Sequence, residues 1–311
     1  MPAAHAPDLV QLSVGVNSYR LAAPDVRAVG LRTNQLRFDN LGSDPQVHGT
    51  TFPRPAEDFL VASRLASTRE AELSAMDYFG DVMATTIAQT DDDPVADADL
   101  IRLPRGAGAP LTLEEALHRR RSIRRFSGDP LRLDQVATLL RLGDGVSAEA
   151  EIELLRGGSV LHHFRTAPSG GGLYPVELLL VALSVNGLDP GVYRYAPLRD
   201  ALVRVAGRGV LNGVQDAFSV AAGAIALDTA SAILLLTAHP WRAMRKYGPR
   251  GLRFVLHEGG SITQNVHLAA TSLGLGSTDC ASYADDVVHA ALGMDGVQTA
   301  VIHTVVLGWR G

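Results

Sequence analysis

Three nearly continuous apolar runs constrain this chain more than any other feature: Val176–Val185, Ala232–Ala238 and Thr299–Leu307. A strand with one wet face alternates apolar and polar residues. These runs do not alternate, so each reads as a strand inside a sheet covered on both faces. Around them the period turns helical. Thr112-Leu113-Glu114-Glu115 is a capping box that opens a helix reaching about Arg120. A second helix fits Leu133 to Leu142, with Gly143 as its expected C-terminal cap. A long helix fits Arg253 to Leu273, although Gly259-Gly260 sit in its middle. Each interior glycine costs ~1 kcal/mol against alanine, which is tolerated where another backbone comes close, as across a dimer interface. Gly191–Tyr195 and Leu202–Val205, separated by Pro-Leu-Arg-Asp, read as a hairpin. Periodicity leaves both α/β and α+β open.

Upstream the signal is weaker. Residues 1–50 carry short alternating stretches that read as strands, such as Leu9 to Val14. Residues 56–90 have helical spacing around Phe59–Leu65 and again from Glu70 to Ile87. Val95 to Pro110 reads as a linker. The expected organisation is an N-terminal accessory domain over residues 1–100 and a main domain over 101–311.

Composition removes several function classes. The one cysteine, Cys280, excludes an internal disulfide and a zinc ribbon and fits a reducing compartment. A net charge of −5 argues against a general nucleic-acid binder. No apolar run reaches the roughly 18–20 residues of a membrane span. The first twelve residues lack a signal peptide's positive and apolar regions. A cytoplasmic protein with no membrane or nucleic-acid partner is expected. His162-His163 are adjacent, and His257-Glu258 lacks the second histidine of a zinc helix, so no metal site is expected. There is no Gly-x-Ser-x-Gly elbow.

Four segments carry possible chemistry. In Arg119-Arg120-Arg121-Ser122-Ile123-Arg124-Arg125-Phe126, guanidinium groups crowd around a hydroxyl where a capped helix ends. A charge run is usually a solvated face, but this one passes into apolar Ile123 and Phe126. Arginine forks beside a serine suit the oxygens of a phosphate monoester. Pro168-Ser169-Gly170-Gly171-Gly172-Leu173-Tyr174-Pro175 precedes a buried strand, and its glycines admit a flat ligand, though an ordinary loop has the same composition. Lys246-Tyr247-Gly248-Pro249-Arg250-Gly251 holds the only lysine among 28 basic residues. A compact amine that can lose its proton is something arginine cannot supply. Leu273-Gly274-Leu275-Gly276-Ser277-Thr278-Asp279-Cys280-Ala281-Ser282 reverses the chain after the long helix, and Cys280 there reads as a small apolar residue.

Together these segments resemble the nitroreductase superfamily, and within it the SagB-type branch, over about Ile101 to Gly311. The arginine motif is superfamily-level. The Pro-Ser-Gly-Gly-Gly-Leu-Tyr-Pro segment and Lys246-Tyr247-Gly248-Pro249-Arg250-Gly251-Leu252-Arg253-Phe254, followed by Glu258, Gly260 and Gln264-Asn265, are similar to the branch. The resemblance implies an α+β nitroreductase-like fold: a central, mostly antiparallel sheet flanked by helices, homodimeric, with a small N-terminal α/β region. It implies FMN as cofactor, held by Arg120, Arg121, Ser122 and Arg124 at the phosphate and ribityl chain. Pro168, Ser169, Gly170, Gly171, Gln264, Ala281 and Ser282 complete the cofactor set. The implied activity is oxidation of thiazoline or oxazoline rings in a ribosomally made precursor peptide, beside a cyclodehydratase. Lys246 is then the candidate base, and Tyr247 orients it or shares the proton. Ser261 stands where the branch usually has histidine, His257 where it has an apolar residue, and Ala281-Ser282 where many nitroreductases have Glu-Gly. The alternatives are an NAD(P)H-dependent nitro or quinone reductase and a non-catalytic scaffold of a peptide-modifying complex.

Overall fold

The computed structural model describes residues 10–14, 17–21, 55–64, 100–153, 158–218 and 223–311. The chain divides into two units, Met1–Arg64 and Leu65–Gly311. In the first, strands β1 (Val10–Val14) and β2 (Asn17–Leu21) pair antiparallel, Leu12 opposite Tyr19. Helix α1 (Pro55–Ala62) starts on a proline, whose fixed φ suits a first turn. The expected helical run Glu70–Ile87 lies outside the described residues.

The second unit is built on a seven-stranded sheet. Its order is β12 (Leu275–Asp279), β13 (Ala300–Trp309), β11 (Ala232–Ala238), β7 (Val176–Ala182), β9 (Gly191–Ala196), β10 (Ala201–Ala206) and β3 (Leu100–Arg102). Every neighbouring pair is antiparallel. That settles the class as α+β. The apolar runs form the middle of this sheet, with Leu180 opposite Leu234 and Leu234 opposite Val305. Their alternate residues enter different cores. Leu178, Leu180, Leu234, Leu236, Val305 and Leu307 pack on one face beside helices α3 (Leu133–Asp144) and α6 (Gly251–Ser272). Leu179, Val181, Ile233, Leu235 and Val306 pack on the other with Phe218, beside α4 (Leu211–Ala217) and α7 (Asp285–Leu292). Each such side chain contributes about 1.5–3 kcal/mol of burial. Continuous apolarity follows from two covered faces.

Four sequence expectations are corrected by packing. Gly143 does not cap α3, which runs through it and ends at Gly145, whose N–H reaches Arg141 O at 2.9 Å. Gly143 is instead a contact glycine: a Cβ there would lie 2.9 Å from Val266 Cγ2 of α6. The run to Val185 breaks after Ala182, where the N–H groups of Leu183 and Ser184 both turn to Ser231 O. Val185–Asn186 forms β8, parallel to β4 (Leu131–Arg132). Part of the predicted linker is strand β3, with Ile101 opposite Leu202. Residue 100 therefore falls inside the second unit, at the sheet's edge. The long helix starts at Gly251, where Ala243 backbone leaves no room for a Cβ. In its middle a Cβ on Gly259 would lie 3.1 Å from Ile302 Cδ1, while Gly260 faces open space. Strands β5 (Val146–Glu153) and β6 (Ser159–Arg165) form a separate hairpin. The remaining helices are α2 (Leu113–Arg119), with its capping box intact, and α5 (Pro240–Tyr247). Among the described residues, no helix is long and apolar enough to cross a membrane.

Candidate active site

The predicted site residues fall into two groups at opposite ends of α6. The arginine segment leaves α2 and docks on the sheet edge. Ile123 N–H donates to Ser277 O at 2.9 Å, and Phe126 bridges Arg310. Two glycines make the dock. A Cβ on Gly276 would lie 2.7 Å from Ile123 Cγ2, and one on Gly308 would lie 2.9 Å from Phe126 Cδ1. Phe126 is buried, Ile123 and Arg120 half-buried, and Arg121, Ser122, Arg124 and Arg125 exposed. Arg121 folds back, donating to the carbonyls of His118 at 2.8 Å and Arg120 at 2.7 Å, where it caps α2.

The dock is stiffened beside the other predicted segment. Asp279 Oδ1 accepts from His303 Nε2 at 2.8 Å and from His267 Nε2 at 3.0 Å. His267 Nδ1 meets Ser277 Oγ at 2.8 Å. Hydrogen bonds from His267 and His303 hold the Asp279 carboxyl well below its ordinary range. Ser277 is 2% exposed, so this set clamps β12 to α6 rather than activating a nucleophile. Cys280 is buried, paired by its N–H to Thr304 O at 3.0 Å, and burial pushes its thiol up. Ala281 and Ser282, next along, are exposed. Ser277 and Asp279 lie in a segment the sequence singles out, but their partners His267 and His303 were not found, because the set spans three elements without a spacing rule.

The second group surrounds the glycine loop. Gly171 and Gly172 have φ of 70° and 64°, which only glycine adopts without strain. A Cβ on Gly171 would collide with Tyr247 Oη and lie 2.9 Å from Lys246 Nζ. One on Gly170 would lie 3.1 Å from Phe254, and Phe254 meets the Tyr247 ring edge-to-face at 4.9 Å. Lys246 and Tyr247, half-buried at the end of α5, are thus pressed onto loop backbone stripped of side chains. Burial pushes the Tyr247 phenol up, so it stays a proton donor. Pro168 and Gly171 are exposed above this contact, and Ser169 and Gly170 half-buried.

Tyr174 closes the loop at φ 43°, a left-handed conformation costing about 1–2 kcal/mol in a non-glycine residue. It is held on several sides. Its N–H donates to Ser169 Oγ at 2.9 Å, and its Oη accepts from Arg165 N–H at 3.1 Å. Arg242 Nη1 reaches its carbonyl at 3.4 Å. Arg242 Nη2 also pairs with Glu177 Oε1 at 3.0 Å. Burial would raise the Glu177 carboxyl, but His239 and Arg242 hold it down at about 2.

Phe254 meets the glycine loop and His267 meets the arginine dock. Thirteen residues of helix separate them, ~20 Å of axis. The structure therefore brings Gly170, Gly171, Lys246 and Tyr247 together, and Arg120–Ser122 together with the strand leading to Ala281-Ser282, as two half-sites. Gln264 is exposed on α6 between them. A cavity of about 510 Å³, lined by Ser184, Arg208, Asn212, Gln215 and Asp228 among others, contains none of the predicted site residues.

Comparison with known proteins bears on the family and the fold. The model of the nitroreductase family matches residues 117–309. A Methanocaldococcus jannaschii protein named as a nitroreductase, MJ1384, is 35% identical over 182 residues, 58% of this chain and 84% of that protein. The microcin B17-processing protein McbC of Escherichia coli is 34% identical over 137 residues, 42% of this chain and 49% of McbC. Among solved structures, a nitroreductase of Ralstonia eutropha aligns with TM-score 0.51 at 21% identity, over 70% of this chain and 92% of that one. The E. coli microcin synthetase McbBCD complex with truncated pro-MccB17 bound contains a chain aligning with TM-score 0.50 at 23% identity, over 84% of this chain and 100% of that one. At these identities the structural likeness speaks to the fold.

Proposed function

The chain belongs to the nitroreductase family, and from that premise we propose that it is an FMN-dependent, SagB-type dehydrogenase that oxidises thiazoline or oxazoline rings of a ribosomally made peptide to thiazole or oxazole. The observation that carries this reading is the contact of Lys246 Nζ and Tyr247 Oη with the bare backbone of Gly171. Aromatising an azoline removes a proton from one ring carbon and a hydride from its neighbour, so it needs a base beside the redox group. Passing electrons to a quinone or nitro group needs no such base. The similarity to McbC, named for microcin B17 processing, points the same way over the half of McbC that is matched.

The residues suit FMN in kind. The Ser122 hydroxyl and the exposed Arg124 guanidinium, with Arg120 beside them, are a donor set for a phosphate dianion. Arg121 joins them by giving up its hold on α2. The space a Cβ would take at Gly170 and Gly171 is filled by Phe254, Tyr247 and Lys246, which leaves the exposed backbone of Gly171 as the part of the loop a planar ring would meet. Pro168, Ser169, Gln264 and the Ala281-Ser282 backbone complete the contacts. When bound, FMN supplies the acceptor for the departing hydride. Lys246 takes the ring proton at Nζ, and Tyr247 orients that amine.

The half-sites need a second copy. Leu256, Gly260 and Gln264 form an exposed stripe on α6, with Gly260 open to close approach. A homodimer along this stripe sets the arginine segment of one subunit beside the glycine loop of the other. The substrate is an azoline-containing precursor peptide, and its supplier is a cyclodehydratase. The test is FMN-loaded protein incubated with an azoline peptide and read by mass. Loss of two hydrogens per ring is expected. No mass change, with rapid NADPH-driven reduction of a nitro compound, would instead establish the second reading, which the similarity to MJ1384 favours.

A further inference from the structure

Beneath the glycine loop lies buried charge that the reaction as described does not use. Glu258, on the same face of α6 as Phe254 and one turn on, is 1% exposed; Asp144, at the end of α3, is also 1% exposed. Arg165, at the end of β6, has an 8% exposed side chain. Its Nη1 pairs with Asp144 Oδ2 at 2.7 Å, and its guanidinium stacks 4.5 Å from the Tyr174 ring centroid. Glu258 Oε1 accepts the Val176 N–H at 3.1 Å, just where the loop enters β7. The remaining oxygens, Glu258 Oε2 and Asp144 Oδ1, are buried without a hydrogen-bond partner.

The charges do not balance if both acids ionise. Arg165 is already committed to Asp144. A second carboxylate in this interior would be desolvated and repelled by the first. The structure assigns Glu258 as a positioning residue: as a neutral acid it holds the Ser169–Tyr174 loop so that Gly171 lies against Lys246 and Tyr247. Burial pushes its carboxyl up to about 8; Asp144 adds to the rise, while Ser169, the Val176 amide and Arg165 pull against it. Burial also raises Asp144, to about 6, against the pull of Arg165 and with a further push from Glu177. Asp144 therefore ionises first, and Glu258 keeps its proton at neutral pH.

The route to the site is short. The hydroxyl of Ser169, which bears on Glu258, also receives the Tyr174 N–H. Between Ser169 and Val176 the chain holds two left-handed glycines and the strained Tyr174, a conformation that persists only while its surroundings fix it. Ionising Glu258 places a second anion under that segment and releases it. The catalytic consequence rests on Lys246 and Tyr247 acting as proposed above; the effect on the loop does not.

The test uses the flavin-loaded protein and its Glu258→Gln variant, an amide of the same shape that cannot ionise. Amide exchange of the 169–174 segment and kcat are followed between about pH 7 and pH 9. In the wild type, exchange should accelerate at least about fivefold beyond the chemical effect of pH, and kcat should fall over the same interval. In the variant exchange should stay flat and kcat should show no alkaline fall, with kcat at neutral pH within about twofold of wild type. An alkaline fall retained in the variant would overturn the proposal. So would a variant that cannot fold at neutral pH, or wild-type exchange that ignores pH. If neither protein acts on azoline peptide, the functional reading fails, and the exchange data still decide the role of Glu258.

Discussion

The arginine segment and the glycine loop are held by opposite means. The segment is fixed from below by apolar side chains, Ile123 and Phe126, dropped into notches left by Gly276 and Gly308, and its charges face outward. The loop is fixed by polar groups, the buried Glu258 and Arg165 side chains and the half-buried Ser169, and its outer surface is nearly bare of side chains. The difference teaches how each can serve a ligand. A cationic surface on a rigid apolar footing captures an anion without paying for burial of its own charge. A bare loop over a buried polar bed, two of whose carboxyl oxygens lack a hydrogen-bond partner, offers a flat seat whose height is set by protonation.

If that division of labour is right, the largest loss comes from Lys246→Ala. It should lower azole formation by at least about a hundredfold, the usual size of a general-base contribution, while flavin occupancy is kept. Unchanged turnover in a steady-state assay would remove the base assignment.

Next in size is a mixing experiment. Arg120→Ala/Arg124→Ala chains and Lys246→Ala chains should each be nearly inactive alone. Unfolded and refolded together, they should recover about a quarter of wild-type activity, because half the dimers are mixed and one site in two is then intact. No recovery would mean that each chain houses a complete site.

Smaller again is Gly171→Ala. The left-handed backbone costs the alanine about 1–2 kcal/mol, and its methyl must displace Tyr247 and Lys246. A lower melting temperature and roughly tenfold lower kcat are expected, without loss of phosphate binding. A variant with normal kcat would show that the loop does not set the lysine.

The smallest effect is on stability. Glu258, raised to about 8, and Asp144, raised to about 6, both bind protons more tightly in the folded chain than in the unfolded one. Their contribution is therefore fully present at low pH and is lost as pH climbs from the ordinary carboxyl range through these values. Glu177, held at about 2, and Asp279 work the other way, losing their contribution in acid. Melting temperature should therefore fall from about pH 4.5, most steeply up to about pH 6, and level off above about pH 8, and Glu258→Gln should abolish the part of that fall between about pH 6 and pH 8. An unchanged pH slope in the variant would place the titrating group elsewhere.

The same contrast explains what could be read in the sequence. The two-faced sheet was legible because its central strands are apolar at nearly every position, and the capping box at Thr112 because its pair is three residues apart. The arginine and glycine motifs were legible as contiguous words. The polar bed was not, since Asp144, Arg165 and Glu258 are far apart in the chain and each alone resembles a surface charge. Gly143 misled for a related reason: a glycine near a helix end reads as a cap, and only the position of Val266 reveals it as a contact.

The central claim is that the arginine segment grips a phosphate. It is tested most directly by titrating flavin-free protein with FMN and with riboflavin, which differ only in that group. The account predicts FMN binding tighter by at least about a hundredfold, given two or more charge-assisted hydrogen bonds. That advantage should disappear in Arg120→Ala/Arg124→Ala. Equal affinity for the two flavins in the wild type would contradict it.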